Sequence, residues 1–331
     1  MSAQFAIGID LGTTNSVLAY VPLADENATP AVLSIPQLTA PGTLEKRPLL
    51  PSFTYLTAAH EKGQPAYDVP WATQRDFAIG ELARRRSAEA PTQSVAAAKS
   101  WLTHSRVDRR APILPWGAPP EVQKISPVEA SRRYLEHVVA AWNQKFPTAP
   151  LAEQTVVLTV PASFDAAARE LTREAALAAG LPESFILLEE PQAAVYAWLA
   201  DVGDRWRRLL RVGDVLLVCD VGGGTTDFTL VEVGEESGEL VLRRAAVGNH
   251  TLVGGDNMDL ALAHFASTRL AEQGTKLDPW QSVSLWHACR TAKESLLGEN
   301  APQQHPVALS THAPLKGSSL ATYHAGRSRP H

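Results

Sequence analysis

One strand–turn–strand pattern occurs twice in this chain, far apart, and that duplication constrains the fold more than any other feature. The first copy reads Phe5-Ala-Ile-Gly-Ile-Asp10-Leu-Gly12-Thr13-Thr14-Asn15-Ser16-Val-Leu-Ala-Tyr20. The second reads Val215-Leu-Leu-Val-Cys-Asp220-Val-Gly222-Gly223-Gly224-Thr225-Thr226-Asp227-Phe-Thr-Leu-Val231. Superposed on Asp10 and Asp220, each gives an apolar strand, an Asp, a Gly/Thr turn and a second apolar strand. Glycine lets a backbone approach a ligand closely, and successive N–H groups in such a turn form a concave anion site. An Asp at the strand end repels a bare phosphate, so its expected partner is a Mg²⁺ carried by that phosphate. Two such turns facing each other would clamp a nucleotide's phosphates from both sides. Each turn read singly is also an ordinary glycine-rich β-turn; the matched pair is the signal. Neither fits a P-loop or a dinucleotide fingerprint.

The remaining composition narrows the class. The 331 residues are 45% hydrophobic and 20% charged, enough for two domains with real cores. A net charge of −5 gives a nucleic-acid role no electrostatic footprint. The two cysteines, Cys219 and Cys289, have no metal-ligand spacing and suit a reducing compartment. No secretory leader opens the chain and no apolar run approaches a bilayer span, so the expectation is a cytoplasmic protein without a membrane partner.

Along the chain, residues 4–20 read as a strand–turn–strand and 22–70 as irregular strands and loops. Helices are expected over 77–86 and 94–102, and an exposed connection over 108–120, where four prolines fall. Ser126-Pro127-Val-Glu129 opens a helix with Ser as cap, Pro at the first position and Glu reaching back to the cap's N–H. A strand over 155–160 ends at Pro161, a helix over 165–179 closes at Gly180, a strand covers 185–188 and a helix 192–200. That order predicts a parallel or mixed sheet with helices packed on it. Residues 201–213 read as a charged connector, 240–247 as a strand, and 257–272 and 279–297 as helices, the last capped by Asp278. Residues 300–331 hold four prolines and four histidines, no acid and no period. His305, His312, His324 and His331 lack the spacing of a metal site, so a disordered end is expected.

With these motifs on the page, the chain resembles the nucleotide-binding domain of the seventy-kilodalton heat-shock chaperones, within the actin-like ATPase superfamily. The resemblance covers roughly residues 4–297 and is weak over 22–70 and 103–150. Ile7–Ser16 and Asp220–Asp227 are similar to that family's two phosphate signatures. Val160-Pro161-Ala-Ser-Phe164 with Arg169 resembles its inter-lobe switch, and Glu189-Glu190-Pro191-Gln-Ala-Ala194 its connecting motif. Residues 248–259, with Gly254, Gly255, Asp256 and Asp259, resemble its glycine-acidic segment, and Ala288-Cys-Arg-Thr-Ala-Lys293 its adenosine-side helix.

The resemblance implies an α/β, two-lobed fold of duplicated ribonuclease-H-like lobes. The first lobe would cover 1–200, part of the second 201–298, and 299–331 a disordered or out-of-frame tail. It implies ATP or ADP with Mg²⁺ as ligands. Gly12, Thr13 and Thr14 would bind phosphates from one lobe, and Gly222, Gly223, Gly224 and Thr225 from the other. Asp10 and Asp220 would hold hydrated Mg²⁺. Lys99 would orient the attacking water and Glu190 would position it. Gly254, Gly255, Arg290 and Lys293 would serve the nucleoside side. Pro161 and Arg169 would carry the γ-phosphate signal outward. Phosphoryl transfer needs chiefly positioning and charge neutralisation, which this set supplies. Each residue also has a plain reading: Lys99 a solvated helix residue, Glu190 a helix N-terminal acid, Arg169 a partner for Glu170 or Glu174, Arg290 and Lys293 a surface face.

The implied function is a Mg²⁺-dependent ATPase whose cycle drives protein folding, with co-chaperones and nucleotide-exchange factors as partners. Clients would be engaged only through a C-terminal part that this sequence lacks. Three departures stand out. No Gly-Gly-Ser/Thr-Arg-type adenosine loop follows the final helix. Arg290 and Glu294 stand where the family prefers opposite charges. Leu297 replaces a small hydroxyl residue. The second lobe therefore reads as incomplete, cut near residue 298, as a gene fragment or frameshift would leave it. Whether such a chain is an active enzyme is left open by the sequence. The alternatives are an inactive nucleotide-binding fragment, a carbohydrate kinase or an actin-like filament protein.

Overall fold

The computed structural model describes residues 2–25, 28–104, 106–248, 251 and 253–309. The chain opens with a tight antiparallel hairpin, β1 (Phe5–Leu11) and β2 (Asn15–Pro22), paired so that Asp10 faces Val17 across the ladder. Alternation places Ile7, Ile9 and Leu11 of β1 in the core. A two-residue strand, β3 (Ala31–Val32), extends this sheet from β2.

The stretch that looked irregular forms short strands carrying a satellite core. β4 (Ile35–Ala40) and β5 (Thr43–Arg47) make a hairpin, and β6 (Leu50–Pro51) pairs with β2. β7 (Thr54–Leu56), β8 (Phe77–Ile79) and β9 (Ser94–Val95) form a three-stranded sheet centred on β7, under α1 (Glu81–Glu89). Leu38, Phe53, Tyr55, Tyr67 and Leu82 close this cluster. Here the structure departs from sequence periodicity. The helix expected over 77–86 begins only at Glu81, because Gly80 adopts φ 89°. A Cβ there would lie 2.6 Å from Gln37 Oε1 and 2.8 Å from Leu50 Cδ1, so the chain must turn at that point. The helix expected over 94–102 shrinks to α2 (Ala98–Trp101), preceded by β9 and by Ala97 in the left-handed region.

α3 (Pro127–Lys145) starts as expected, with Ser126 Oγ accepting from Glu129 N at 2.9 Å. Glu129 does not reach back to the cap; its carboxylate takes Arg132 and Arg133 at 2.7 Å each, because two guanidiniums outbid one backbone N–H. β10 (Thr155–Val160) then lies parallel to β1, α4 (Ala166–Ala178) follows, and β11 (Ile186–Glu189) lies parallel to β10. The sheet order β11-β10-β1-β2-β3 is the mixed sheet that the motif order predicted. α3 buries Tyr134, Leu135, Val138 and Trp142 against Ile7, Ile9, Leu18, Val156 and Leu158.

α5 (Glu190–Val202) leads through α6 (Trp206–Leu209), within the connector, to the second hairpin. β12 (Val215–Val221), β13 (Thr226–Glu236) and β14 (Glu239–Val247) form an antiparallel sheet in which Asp220 faces Asp227. β12 pairs with β13 alone among the described residues, whereas β1 has β10 on its outer edge. α7 (Gly255–Glu272) and α8 (Pro279–Leu297) pack through Ala263, Ala266, Leu285 and Cys289. Asp278 caps α8 in a reciprocal box with Gln281, at 2.7 and 3.0 Å. Of the segment expected to be a disordered tail, Val307 and Leu309 lie against this helix pair and His305 stays local, its Nδ1 2.8 Å from Pro306 O. His312, His324 and His331 fall outside the described residues.

Candidate functional site

The two glycine turns meet. The β1–β2 and β12–β13 ladders end at Leu11–Ser16 and Val221–Thr226, leaving Gly12–Asn15 and Gly222–Thr225 as the tips. A Cβ on Gly223 would fall 1.7 Å from Thr14 Oγ1, and one on Gly224 would fall 3.2 Å from both Thr13 Cγ2 and Ser100 Oγ. A Cβ on Gly223 would push the tips apart, and one on Gly224 would be tight, which accounts for the glycines. Between them opens a cleft of about 520 Å³ lined by Asp10, Gly12, Thr13, Thr14, Lys99, Pro161, Glu190, Asp220, Gly222, Gly223 and Thr225.

The second turn is braced from behind. Gly255 N donates to Gly222 O at 3.0 Å and Asp256 N to Gly223 O at 2.7 Å, while Thr226 Oγ1 donates to Val253 O at 2.7 Å. A Cβ on Gly254 would lie 2.6 Å from the carbonyl oxygens of both Gly222 and Gly223. Gly254 and Gly255 thus shape the turn and are not among the cleft-lining residues. Asn249, His250 and Leu252 of the same segment lie outside the described residues.

The cleft gathers three carboxylates and one ammonium group. Lys99 Nζ reaches Glu190 Oε1 at 2.5 Å, and both side chains are largely buried. Thr159 Oγ1 donates to Asp10 Oδ1 at 3.0 Å. Burial pushes the Asp220 carboxyl above the usual range; Lys99 opposes this and Asp227 and Asp10 add to it. Glu190 is pushed up the same way, by burial first, against Lys99 and with Asp10 and Asp220. The balance is an excess of negative charge that a cation would relieve. Thr14 Oγ1 is buried against Gly223 without a hydrogen-bond partner. Among the described residues, no group of three or more His, Cys, Asp or Glu could hold a metal ion directly.

Arg169 does not pair with its helix neighbours. It donates to Phe164 O at 3.1 Å, to Ala162 O at 3.4 Å and to Glu189 Oε1 at 2.9 Å, so it fastens the segment after Pro161 to the end of β11. Arg290 and Lys293 are likewise engaged within the fold. Arg290 is buried and bonds Asp259 at 2.7 Å and Asp256 at 2.5 Å, and Lys293 reaches Asp259 at 2.6 Å and Gly255 O at 2.9 Å. Neither lines the cleft. Glu294 pairs with Arg84 of α1 at 2.8 Å, joining α8 to the other half of the molecule.

Thr103 and Thr159 lie outside the sequence motifs and enter the cleft only through the fold. For Thr159 a signal existed: a strand parallel to β1 ending at Pro161 places a residue beside Asp10.

Comparison with known proteins identifies similar chains. The family described as Hsp70 protein matches residues 61–314. The chain is 32% identical over 304 residues to the chaperone protein HscA homolog of Bordetella petrii, covering 88% of this chain and 42% of that protein. It is 32% identical over 279 residues to chaperone protein HscA of Photorhabdus laumondii, covering 78% and 37%. With chaperone protein HscA of Xenorhabdus nematophila it shares 30% over 271 residues, covering 79% and 37%. The chain therefore spans about two fifths of the length of these curated relatives.

Proposed function

Because the chain belongs to the Hsp70 protein family, we propose that it binds ATP and ADP between its two glycine turns and hydrolyses ATP there with Mg²⁺, as the nucleotide-binding part of a chaperone. The mixed α/β architecture with two separate hairpin-bearing sheets is consistent with a two-lobed actin-like ATPase fold. The observation that carries the proposal is the meeting of Gly223 with Thr14 over a cleft whose floor holds Asp10, Asp220 and the Lys99–Glu190 pair.

In this reading Gly12, Thr13 and Thr14 hold phosphates from one side, and Gly222, Gly223, Gly224 and Thr225 from the other. Asp10 and Asp220 would hold Mg²⁺, whose charge the surplus of carboxylate in the cleft fits. Bound magnesium would supply charge neutralisation on the phosphates. Lys99 is held by Glu190 at the cleft wall and orients the attacking water, while the buried Glu190 carboxylate accepts from it. Pro161 reports the γ-phosphate, and Arg169 passes any shift of residues 161–164 to Glu189. Arg290, Lys293, Gly254 and Gly255 are assigned to the nucleoside side only indirectly: they brace the second turn from α8 and the 254–259 segment behind the cleft.

The proposal extends to coupling with client folding, to co-chaperones and exchange factors as partners, and to a cytoplasmic setting. No described helix is long and apolar enough to cross a membrane. The test is single-turnover hydrolysis of Mg·ATP by the whole chain beside Lys99→Ala. The variant should bind ATP and lose roughly 100-fold or more in rate. Equal, slow rates in both would remove the catalytic part of the proposal. A second reading, a nucleotide holder without turnover, is favoured by one observation: Arg290 and Lys293 spend their charge on Asp256 and Asp259. Tight Mg·ATP binding without hydrolysis would select it.

A further inference from the structure

Glu189 and Glu190 are consecutive, and their carboxylates serve different neighbours. Glu190 opens α5 and turns to Lys99 in the cleft. Glu189 ends β11 and meets two guanidiniums, that of Arg169 in α4 and that of Arg244 in β14. Arg169 belongs to the half built on β1 and Arg244 to the sheet built on β12. Arg169 also holds the carbonyls of Ala162 and Phe164, just past Pro161 in the cleft wall. One carboxylate therefore joins the second sheet, the Pro161 segment and the peptide that aims Glu190. Its side chain is only 14% exposed, whereas Arg244 is 44% exposed, so salt reaches the pair from the Arg244 side.

We propose that Arg244 is a positioning residue: its ion pair with Glu189 latches the second lobe to the β11–α5 junction and so sets the distance between the two phosphate turns. Its kinetic consequence rests on the ATPase reading above, whereas its effect on lobe separation does not. With Arg244 neutralised, the Arg169–Glu189 pair and the Lys99–Glu190 pair both remain, so the site's own groups keep their partners. The lobes lose one tie that works only when they are closed. Arg244 also lines an apolar cavity with Pro191, Val195 and Leu242, so a truncation to Ala would mix lost packing with lost charge. Arg244→Gln keeps most of the stem, and Arg244→Lys keeps the charge.

The experiment pairs small-angle X-ray scattering of the nucleotide-free chain with single-turnover hydrolysis, each across a series of salt concentrations. The wild type should open as salt rises, showing a larger radius of gyration and a slower rate. Arg244→Gln should be more open than the wild type at low salt and less responsive to salt, with the Arg84–Glu294 tie left to screen. It should also be roughly two- to five-fold slower at saturating Mg·ATP, the range an exposed ion pair commands. Arg244→Lys should recover most of the wild-type behaviour. Scattering profiles of Arg244→Gln and wild type that superpose at low salt overturn the latch, whatever the hydrolysis shows. A wild type that neither binds nor hydrolyses ATP overturns the function proposed above, and the scattering comparison then decides the latch on its own.

Discussion

Asp220 sits where binding and stability pull in opposite directions. Its folded-state acidity is weakened by burial and by its acidic neighbours, so the folded chain holds that proton more tightly than the unfolded chain does. A group raised in this way destabilises the fold above its folded pKa, and the penalty is relieved as pH falls through that value. At pH 7 the charged carboxylate is therefore a cost that a bound cation offsets. Asp220→Asn should raise the melting temperature of the nucleotide-free chain at pH 7 and abolish its response to Mg²⁺; a lowered melting temperature would contradict the electrostatic reading. His137 obeys the opposite sign. Burial, then the charge of Arg75, depress it to about 3, while its Nε2 stays 2.9 Å from Pro36 O. The unfolded chain takes up a proton near pH 6.5 and the folded chain does not. Stability should therefore fall as pH drops from about 6.5 toward about 3, by the uptake of one proton in the unfolded chain alone. Chemical denaturation across that range should show it, and His137→Gln should flatten the slope by about one proton.

At the scale of elements, the glycines divide into those that sit between the two turns and those that pack behind one of them. Gly223→Ala brings a methyl into Thr14 across the cleft, so it should hold the two turns apart. We expect nucleotide affinity to drop by roughly ten-fold or more, with little change in melting temperature. Gly254→Ala meets three backbone atoms of the second turn within 2.7 Å and should cost the fold itself about 1–3 kcal/mol. Equal effects of the two substitutions on unfolding would refute the distinction. Away from the site, Ser126→Ala should cost about 1 kcal/mol, read by denaturant titration, since it removes the cap of α3. The hairpins, α3, α8 and the β10-α4-β11-α5 order were legible because periodicity, caps and turn residues agreed. The 77–102 region was not, because apolar spacing there fits a helix while Gly80 and the left-handed Ala97 break it, and only tertiary contacts reveal that. In the site, Asp10, Lys99, Glu190 and Asp220 come together as the motifs implied. The Arg290 and Lys293 contacts could not be read, since their acceptors lie more than thirty positions away on another helix.

For the whole molecule, the central claim is that two halves close on one ligand. Polar ties across the halves include Arg84 to Glu294 and Ser87 to His287 at the α1–α8 side and Glu189 to Arg244 at the hinge side. Ties of this kind yield to ligand and salt, which suits a cleft that must open and close. The direct measurement is calorimetric titration of the purified chain with ATP, with and without Mg²⁺, beside Asp220→Ala. The account predicts binding to the wild type that strengthens markedly with Mg²⁺, and a variant that stays folded but gains nothing from the ion. Binding that is absent in a folded wild type, or that is equally strong without Mg²⁺ and in the variant, would contradict it.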